Sequence, residues 1–520
     1  MNHSVLALAV VFFCGCEAAW KPVSVVPTEP DETEGVDAGD FTVAVDAGVE
    51  VDAGVAAVDA GAELDAGVEV DAGVQVDAGV QVVDAGAAVL TMSFSPGQLV
   101  PAFDPAITEY ELSEYSALAP TVVTVSGASD ARVGTLVLGD GQPAALTPGP
   151  LDGNPAPIVV TVGSTEYRVR LRPADWPSFT VTSRDPSPGL VLLTPFEWYT
   201  TRYGHFVVAL DAQGQVLFYR RVSSIALDFQ RHVLPGGAVR YSYWSAGVVQ
   251  VLDEHFAPLR TFQVLPTAAR TSVTADAHDF ILLSDDHCVL VAYYDEYATN
   301  VPASLSPAVG GAFVTAALIQ EVDAGQVVFE WDSTEHPELY ALSTDGNAFG
   351  NASAAADYAH LNSVVIDPND ENFVASFRHL DAVLKLDRHT GEIVWRLGGE
   401  GDSFGTPPAQ RTSHQHFTSV IGPDSLQVFD NGNAVGRSRV VTYQLDPDAG
   451  VVQSFSELDL GWFAFAMGSA QLRGDTLFVG LGANGPGTPD ALEFALDGGA
   501  ETFRLQFDDD VVYSYRALKY

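Results

Sequence analysis

Apolar and polar residues alternate in short runs through much of the chain, and polar turn clusters separate the runs. Between Leu90 and Pro173 the alternation is clearest in TVVTVSG, GTLVLGDG, PIVVTVGS and EYRVRLRP. Runs of about four to eight residues with a period of two are typical of β-strands that bury one face. The pattern predicts a small all-β sandwich over residues 90–175.

One longer pattern recurs beyond Trp176: an apolar strand, an aspartate, a tight turn that usually contains glycine, and a second apolar strand. Aspartate accepts hydrogen bonds from turn amides, and glycine adopts positive φ without steric cost. The copies recur at or above the spacing of about 40 to 45 residues that is typical of propeller blades. Six copies predict a six-bladed β-propeller over residues 176–520, with a binding site at one mouth of its channel. The aligned aspartates are Asp211, Asp253, Asp323, Asp387, Asp446 and Asp497.

The N-terminus is expected to carry an export signal. An apolar run from Val5 to Phe13 is too short to span a bilayer and stands where a signal peptide would. Cys16 and the residues before it resemble a bacterial lipoprotein signal, in which the cysteine is lipidated and becomes the new N-terminus. Residues 1–16 are therefore expected to be a lipoprotein-type signal peptide, with a plain secretory signal as the alternative.

Residues 17–89 are dominated by repeats of V-x-V-D-A-G, and Phe41 is the only aromatic residue between Thr28 and Val89. Such a segment cannot bury enough apolar area to offset the entropy of ordering it, so a disordered, extended acidic stalk is predicted. Regularly spaced aspartates could instead bind calcium in a solenoid, but the glycine-dense repeat of that class is absent.

Charge and cysteine content limit the partners. The formal net charge is −44, which argues against binding to nucleic acid or to anionic lipid. We expect an exported protein of the bacterial cell envelope, lipid-anchored in the outer membrane, facing the periplasm or the cell surface, with the anchor as its sole membrane contact. Lipidation of Cys16 leaves Cys288 as a lone thiol inside the apolar run CVLVAYY, where burial is expected.

Three histidines share one position relative to the strand that follows them. Each heads an apolar strand, and seven positions later a polar turn begins: His278 precedes Asp285, His360 precedes Asp367, and His416 precedes Pro423. If the strands are the innermost ones of successive blades, equal distance to the turn gives equal depth. The three side chains would then face one another near the axis.

Arg378 closes the return strand FVASFR, so antiparallel pairing brings it beside His360. Three further residues, Asn362, Tyr293 and Asn431, are expected at the same rim as substrate-binding groups. Histidine acts as nucleophile, acid or base near neutral pH, and a guanidinium fits a tetrahedral oxyanion such as sulfate or phosphate. The set predicts a site of anion transfer.

The segments around these residues resemble the bacterial arylsulfate sulfotransferases and their arylsulfotransferase-like relatives. The likeness rests on HDF at His278, HLNSV at His360, SFRHLDAVLKLDRHTGEIVWRLGG from Ser376, QHF at His416, then LQVFDNG and GSAQL. In addition, LTMSFSPGQLVPAFDPAITEYEL resembles the opening of the cadherin-like β-sandwich domains of bacterial surface proteins. The resemblance implies a six-bladed propeller behind a β-sandwich.

The same resemblance implies a PAPS-independent aryl sulfotransferase, which moves a sulfuryl group from a phenolic sulfate donor to a phenol acceptor by a ping-pong mechanism. By motif position His416 would be the nucleophile that is transiently sulfated. His278, His360 and Arg378 would bind the sulfate oxygens and assist the leaving phenolate, with protonated imidazoles stabilising charge. No cofactor and no metal are implied, and the sequence contains no Walker-type phosphate loop.

Two other functions stay open at this point. Three neutral histidines around an axis could hold a transition metal in a metal-dependent hydrolase, although Arg378 would lie unfavourably close to a dication. A propeller on an acidic stalk could also be a non-catalytic adhesin or sensor that binds a sulfated ligand.

Overall fold

The computed structural model describes residues 89–147, 149–151, 155–198, 201–306, 311–351 and 353–520. The predicted signal peptide with Cys16, and the predicted stalk up to residue 88, lie outside the described residues. The regular secondary structure of the described part is almost entirely β-strand, which confirms the predicted all-β class. Its helices are short 3₁₀ turns, and none is long and apolar enough to cross a membrane. They are Ser333–Glu335, Pro337–Leu342, Arg378–Leu380 and Pro408–Gln410.

The region before Pro173 forms two sheets that share one hydrophobic core. Its strands are β1 Thr91–Ser95, β2 Leu99–Val100, β3 Glu109–Leu112, β4 Glu114–Ser116, β5 Thr121–Ser126, β6 Arg132–Val133, β7 Leu136–Val137, β8 Ala144–Leu146, β9 Ile158–Val162 and β10 Thr165–Arg170. One sheet has the order β1-β5-β8, and the other has the order β2-β3-β10-β9-β6-β7. Alternate residues, such as Val123 and Val125 of β5, point into the core, as the period of two predicts.

The remaining strands build six sheets of four or five strands and one sheet of two short strands. They are β11 Phe179–Ser183, β12 Val191–Glu197, β13 His205–Leu210, β14 Val216–Val222, β15 Ala226–Val233, β16 Val239–Ser245, β17 Val248–Leu252, β18 Pro258–Phe262, β19 Ala275–Leu282, β20 His287–Ala298, β21 Ala312–Asp323, β22 Gln326–Asp332, β23 Leu361–Ile366, β24 Phe373–Phe377, β25 Ala382–Leu386, β26 Ile393–Gly398, β27 Phe417–Gly422, β28 Ser425–Asp430, β29 Arg439–Asp446, β30 Val451–Asp459, β31 Ala464–Ala466, β32 Ser469–Arg473, β33 Thr476–Gly480, β34 Ala483–Asn484, β35 Ala491–Ala495, β36 Glu501–Phe507 and β37 Val512–Lys519. The short strands β31 and β34 pair only with each other.

Four of the six sheets are antiparallel meanders of consecutive strands: β15 to β18, β19 to β22, β23 to β26, and β27 to β30. The other two join distant parts of the chain, in the orders β11-β36-β35-β33-β32 and β37-β12-β13-β14-β4. One strand at the edge of each sheet, here called its first strand, contacts the first strands of two other sheets. The first strands are β15, β19, β23, β27, β32 and β37; each contacts the next in this order, and β37 also contacts β15. These six strands therefore lie side by side in the interior.

Strand β4 links the N-terminal sheets to the others. It belongs to the N-terminal part of the chain but pairs antiparallel with β14, where Tyr115 lies opposite Tyr219. The bidentate pair between Arg220 and Glu114, at 2.8 and 3.0 Å, strengthens this junction. The β-sheet edge at β14 is thereby covered, and an exposed edge is a site of unwanted pairing.

The turn aspartates act as the pattern predicts in four of the six hairpins. Oδ1 of Asp211, Asp253, Asp387 and Asp446 accepts a hydrogen bond of 2.8 to 2.9 Å from a backbone N–H two or three residues later. Such bonds satisfy amides that the tight turn leaves unpaired. Cys288 is fully buried in β20, as expected, and burial raises the pKa of its thiol to about 12.

Arg516 of β37 forms a buried ionic network that joins the inner strands. Its guanidinium donates to Asp228 of β15 at 2.8 Å, lies 3.4 Å from Asp279 of β19, and donates to the backbone oxygen of Asn362 of β23 at 2.9 Å. It also lies over the ring of Phe417 in β27, at 4.8 Å from the centroid. One side chain thus contacts the first strands of four other sheets.

Replacing Arg516 by leucine should destabilise the protein strongly, because Asp228 and Asp279 would be left buried without their cation. We expect a loss of about 3 to 5 kcal/mol in the free energy of unfolding, measured by urea titration. Arg504→Leu is the matched control, since its pair with Glu501 is one-third exposed and should contribute about 1 kcal/mol or less. Equal losses in the two variants would contradict the assigned role of Arg516.

His232 should make stability depend on pH. Burial in β15 lowers the pKa of its imidazole from 6.5 to about 4, and Nε2 lies 2.7 Å from the hydroxyl of Ser242. Between these values the unfolded chain binds a proton that the folded chain does not, so stability is lost as pH falls from about 6.5 to about 4. In His232→Gln the free energy of unfolding should fall less steeply as pH falls, by up to about 1.4 kcal/mol per pH unit. Urea titration at several pH values measures this slope. The same dependence of the free energy of unfolding on pH in the two proteins would refute this prediction.

Candidate active site

The structure brings His278, His360 and His416 together. His278 lies within β19, His360 immediately before β23 and His416 immediately before β27, so they come from three successive sheets. The ring centroid of His278 is 5.1 Å from that of His360 and 5.8 Å from that of His416. Three polar rings thus lie side by side at one end of the inner strands.

Two of the rings are held by carboxylates. Nδ1 of His278 is hydrogen-bonded to Asp276, and Nδ1 of His360 lies 2.5 Å from Oδ2 of Asp357. A carboxylate is an acceptor, so in the neutral ring the proton is on Nδ1 and the lone pair is on Nε2. Nε2 of His360 is buried and has no hydrogen-bond partner within the described part of the chain.

His416 is held in the opposite way. Its Nδ1 accepts hydrogen bonds from the backbone N–H of Met467 at 3.1 Å and from the side-chain amide of Asn362 at 3.2 Å. A backbone N–H can only donate, so the neutral ring carries its proton on Nε2. That Nε2 lies 3.2 Å from the hydroxyl of Tyr515, which donates to the backbone oxygen of His278 at 3.2 Å.

Burial keeps the imidazoles of His360 and His416 neutral. Desolvation lowers the pKa of each well below 6.5, and a positive charge on His278 would lower it further. The expectation of protonated imidazoles is therefore wrong for these two rings near pH 7.

Arg378 lies beside His360, as antiparallel pairing predicts. Its backbone N–H donates to the backbone oxygen of His360 at 2.8 Å, and its side chain is 4% exposed. The guanidinium donates to Nε2 of His379 at 2.9 Å and to the backbone oxygen of Phe465 at 3.4 Å. Its nearest carboxylate oxygen among the described residues, on Asp345, is 3.9 Å away, so the positive charge of Arg378 is only weakly paired.

The three predicted substrate-binding residues have different surroundings. Asn362 contacts His416 directly, and the ring of Tyr293 lies 5.4 Å from His278 and 5.8 Å from His360. Asn431 instead donates its amide to the backbone oxygens of Ala464 at 2.8 Å and Met467 at 3.0 Å. Asn431 therefore holds the segment that binds His416, while its amide N–H groups are occupied by backbone.

The model of the family Arylsulfotransferase (ASST) matches residues 182–516, which is well over half of the chain. The chain belongs to the arylsulfotransferase family. The matched range contains the three histidines, Arg378, Asn362, Tyr293 and Asn431. No curated protein matches the chain.

Several solved structures are similar to this family member, all at low identity. A protein of unknown function from Bacteroides caccae is 11% identical over 64% of this chain and 99% of its own, with a TM-score of 0.36. A chain of a nidogen/laminin complex is 9% identical over 64% and 97%, with a TM-score of 0.34. Apo AztD from Citrobacter koseri is 8% identical over 64% and 99%, with a TM-score of 0.32.

Two histidines in this arylsulfotransferase-family chain join the cluster against expectation. The ring of His379 lies 4.5 Å from that of His360, and the ring of His414 lies 6.1 Å from that of His379. Strand alternation predicts that His379 points away from its neighbour Arg378, but Arg378–Leu380 is a 3₁₀ turn, where alternation does not apply. His414 has a φ of +55°, so it is not in a strand either.

Asp276, Asp357 and Tyr515 are also part of the cluster but are not among the site residues predicted from the sequence. Asp276 and Asp357 precede their histidines by two and three residues, which is a local signal that sequence reading could have used. Tyr515 lies 99 residues after His416 in another sheet, and no sequence pattern links the two residues. Burial also lowers the pKa of His379 to about 4, so this ring is neutral as well.

The one group in the described residues whose spacing would suit a metal ion is Asp357, His360 and His379, with ligand atoms within 4.8 Å of one another. It includes only one of the three predicted histidines. Both ring nitrogens of His379 have hydrogen-bond partners instead: Nδ1 donates to the backbone oxygen of Asp357, and Nε2 accepts from Arg378. The arrangement fits a hydrogen-bonded cluster better than a metal centre with three histidine ligands.

Asn431→Ala should test whether this residue positions His416 or binds substrate. Removal of the amide takes one donor from each of two backbone oxygens, and we expect a loss of about 1 to 3 kcal/mol in the free energy of unfolding. Urea titration measures this loss. Unchanged stability together with weaker substrate binding would instead favour the substrate-binding role predicted from the sequence.

Proposed function

We propose that the chain is a PAPS-independent aryl sulfotransferase, which moves a sulfuryl group from a phenolic sulfate ester to a phenol. The observation that carries the proposal is the cluster of three histidines with Arg378, within the range that the family model matches. Small phenols and their sulfate esters are the proposed substrates, with no cofactor.

The six sheets after residue 176 are proposed to be the blades of a six-bladed β-propeller, behind a cadherin-like β-sandwich. The first support is that the first strand of each sheet contacts the first strands of two other sheets. The second is that two sheets join the beginning and the end of this region, because β12 pairs with β37 and β11 pairs with β36. In a propeller the first strands surround the axis, so the histidine cluster would lie at one mouth of the channel.

His416 is the proposed nucleophile, and its geometry requires a base. Because Nδ1 accepts two hydrogen bonds, Nε2 must lose its proton before it can attack sulfur. His278, whose ring is 5.8 Å away and whose Nδ1 bonds to Asp276, has its lone pair on Nε2 and can take that proton. The N–S bond then forms as the bond from sulfur to the aryl oxygen breaks.

The electron pair of the broken bond leaves with the phenolate, which takes the proton back from His278. In the second half of the reaction the acceptor phenol gives its proton to His278, and its oxygen attacks the sulfur carried by His416 as the N–S bond breaks. His278 then passes the proton to Nε2 of His416, and both rings return to their starting states. Arg378 supplies the local positive charge that binds the sulfuryl oxygens in a protein of net charge −44.

The N-terminal sequence supports export and attachment by a lipid at Cys16, with the enzyme in the bacterial outer membrane on the periplasmic or outer face. In this proposal residues 17–89 are the acidic stalk that separates the anchor from the folded part. The strongly acidic composition argues against nucleic acid as a partner.

Sulfuryl transfer is tested by release of a chromogenic phenol from an aryl sulfate, with and without an added acceptor phenol. The acceptor should stimulate release, and His416→Asn should reduce the rate by about 10⁴-fold or more, as loss of a nucleophile does. His389→Asn, at an exposed turn, is the matched control and should keep full activity.

Intact-mass measurement after donor alone should find one added sulfuryl group, absent in His416→Asn. No release from the folded wild-type protein, over several donors and pH values, would refute the enzyme and favour a non-catalytic binding protein. Release that persists in His416→Asn would refute His416 as the nucleophile.

A further inference from the structure

We propose that Asp357 and Asp276 are positioning residues, which keep the imidazole proton of His360 and His278 on Nδ1. Both rings then present an acceptor Nε2 to the cluster, in which His416 presents a donor Nε2. The functional part of this inference rests on the proposed sulfuryl transfer, whereas the position of the protons does not.

The two pairs are built alike on neighbouring sheets. Asp357 lies three residues before His360, and Asp276 lies two residues before His278. Asp276 also accepts the backbone N–H of His278 at 2.9 Å, so one carboxylate fixes both the ring and the backbone. In the second pair the side chain of His360 is 4% exposed and that of Asp357 is 19% exposed. The carboxylates thus face rings that are largely shielded from water.

The position of Asp357 is fixed from a neighbouring sheet. Ala356, the residue before it, forms a parallel bridge with Val314 of β21. The backbone N–H of Ala356 donates to Phe313 at 2.9 Å, and its oxygen accepts from Thr315 at 3.0 Å. Two backbone hydrogen bonds therefore hold the carboxylate at His360, and rigid support is what orients a ring.

His379 adds a second constraint on the same residue. Its Nδ1 donates to the backbone oxygen of Asp357, and its ring packs against that of His360 at 4.5 Å. Asp357 is therefore held on one side by β21 and on the other by His379, while its Oδ2 is left to accept the Nδ1 proton of His360. An aspartate that orients a histidine and sets its tautomer is a known requirement of histidine bases.

The consequence is a division of roles among three similar side chains. The ring planes of His278 and His360 are almost perpendicular, at 86°, and their centroids are 5.1 Å apart. An acceptor Nε2 on each of these rings can take a proton from His416 or from a phenol, whereas a donor Nε2 could not. The carboxylates of Asp276 and Asp357 are hydrogen-bond acceptors at Nδ1 of His278 and His360, so they favour the Nδ1 proton on both rings.

Long-range ¹H–¹⁵N NMR of protein labelled at histidine nitrogen tests the proposal directly, because it distinguishes a proton on Nδ1 from one on Nε2. His360→Asn and His278→Asn identify the signals of these rings. In the wild type both should carry the proton on Nδ1. In Asp357→Asn the amide can donate to Nδ1, so the proton of His360 should move to Nε2.

Transfer activity is measured on the same samples. Asp357→Asn should reduce the rate of acceptor-stimulated phenol release by about 10² to 10⁴-fold, and Asp357→Glu should recover part of it, because the carboxylate is retained. Asp387→Asn is the matched control: it removes the same charge at the turn between β25 and β26, and should change neither the tautomers nor the rate.

A wild-type His360 with its proton on Nε2 would overturn the proposal, and so would an unchanged His360 signal in folded Asp357→Asn. The wild-type spectrum decides even if Asp357→Asn fails to fold. If the wild type transfers no sulfuryl group but its tautomers are as stated and respond to Asp357→Asn, the positioning role stands and the proposed function fails. An altered tautomer with an unchanged rate would refute the functional role of Asp357.

Discussion

The buried guanidinium of Arg516 is the interaction on which the arrangement of the inner strands depends. Moving one cation and two carboxylates out of water costs several kcal/mol for each ion, and only close pairing with good geometry offsets that cost. Asp228, Asp279 and the backbone oxygen of Asn362 supply that pairing from three different sheets. A small shift of any inner strand would lose part of it, so the network holds the strands at one relative position.

Asn362 connects this network to the candidate site. Its backbone oxygen accepts from Arg516, and its side-chain amide donates to Nδ1 of His416. The orientation of the proposed nucleophile therefore depends on the same ionic network as the packing of the inner strands. Burial has a further effect, since it keeps His360 and His416 neutral and leaves Arg378 as the weakly paired positive charge beside the rings.

Part of the site could be predicted because it follows strand geometry. Equal spacing from histidine to turn predicts that His278, His360 and His416 lie together, and they do. Antiparallel pairing predicts that Arg378 lies beside His360, and its backbone N–H donates to the backbone oxygen of His360. The same rules failed where the backbone leaves the strand. His379 lies in a 3₁₀ turn, and alternation gave the wrong direction for its side chain. The substrate-binding role of Asn431 stays a prediction, and its amide N–H groups bind backbone oxygens.

The sequence by itself determined the all-β class, the turn aspartates at four hairpins and the spacing of the three histidines, because each of these depends on residues close together along one or two strands. Only the tertiary structure decided which histidine nitrogen carries the proton, which rings are neutral and which residues support them. Those properties depend on desolvation and on partners such as Met467 and Tyr515, which lie 51 and 99 residues from His416 along the chain. Local periodicity carries no information about contacts at that separation.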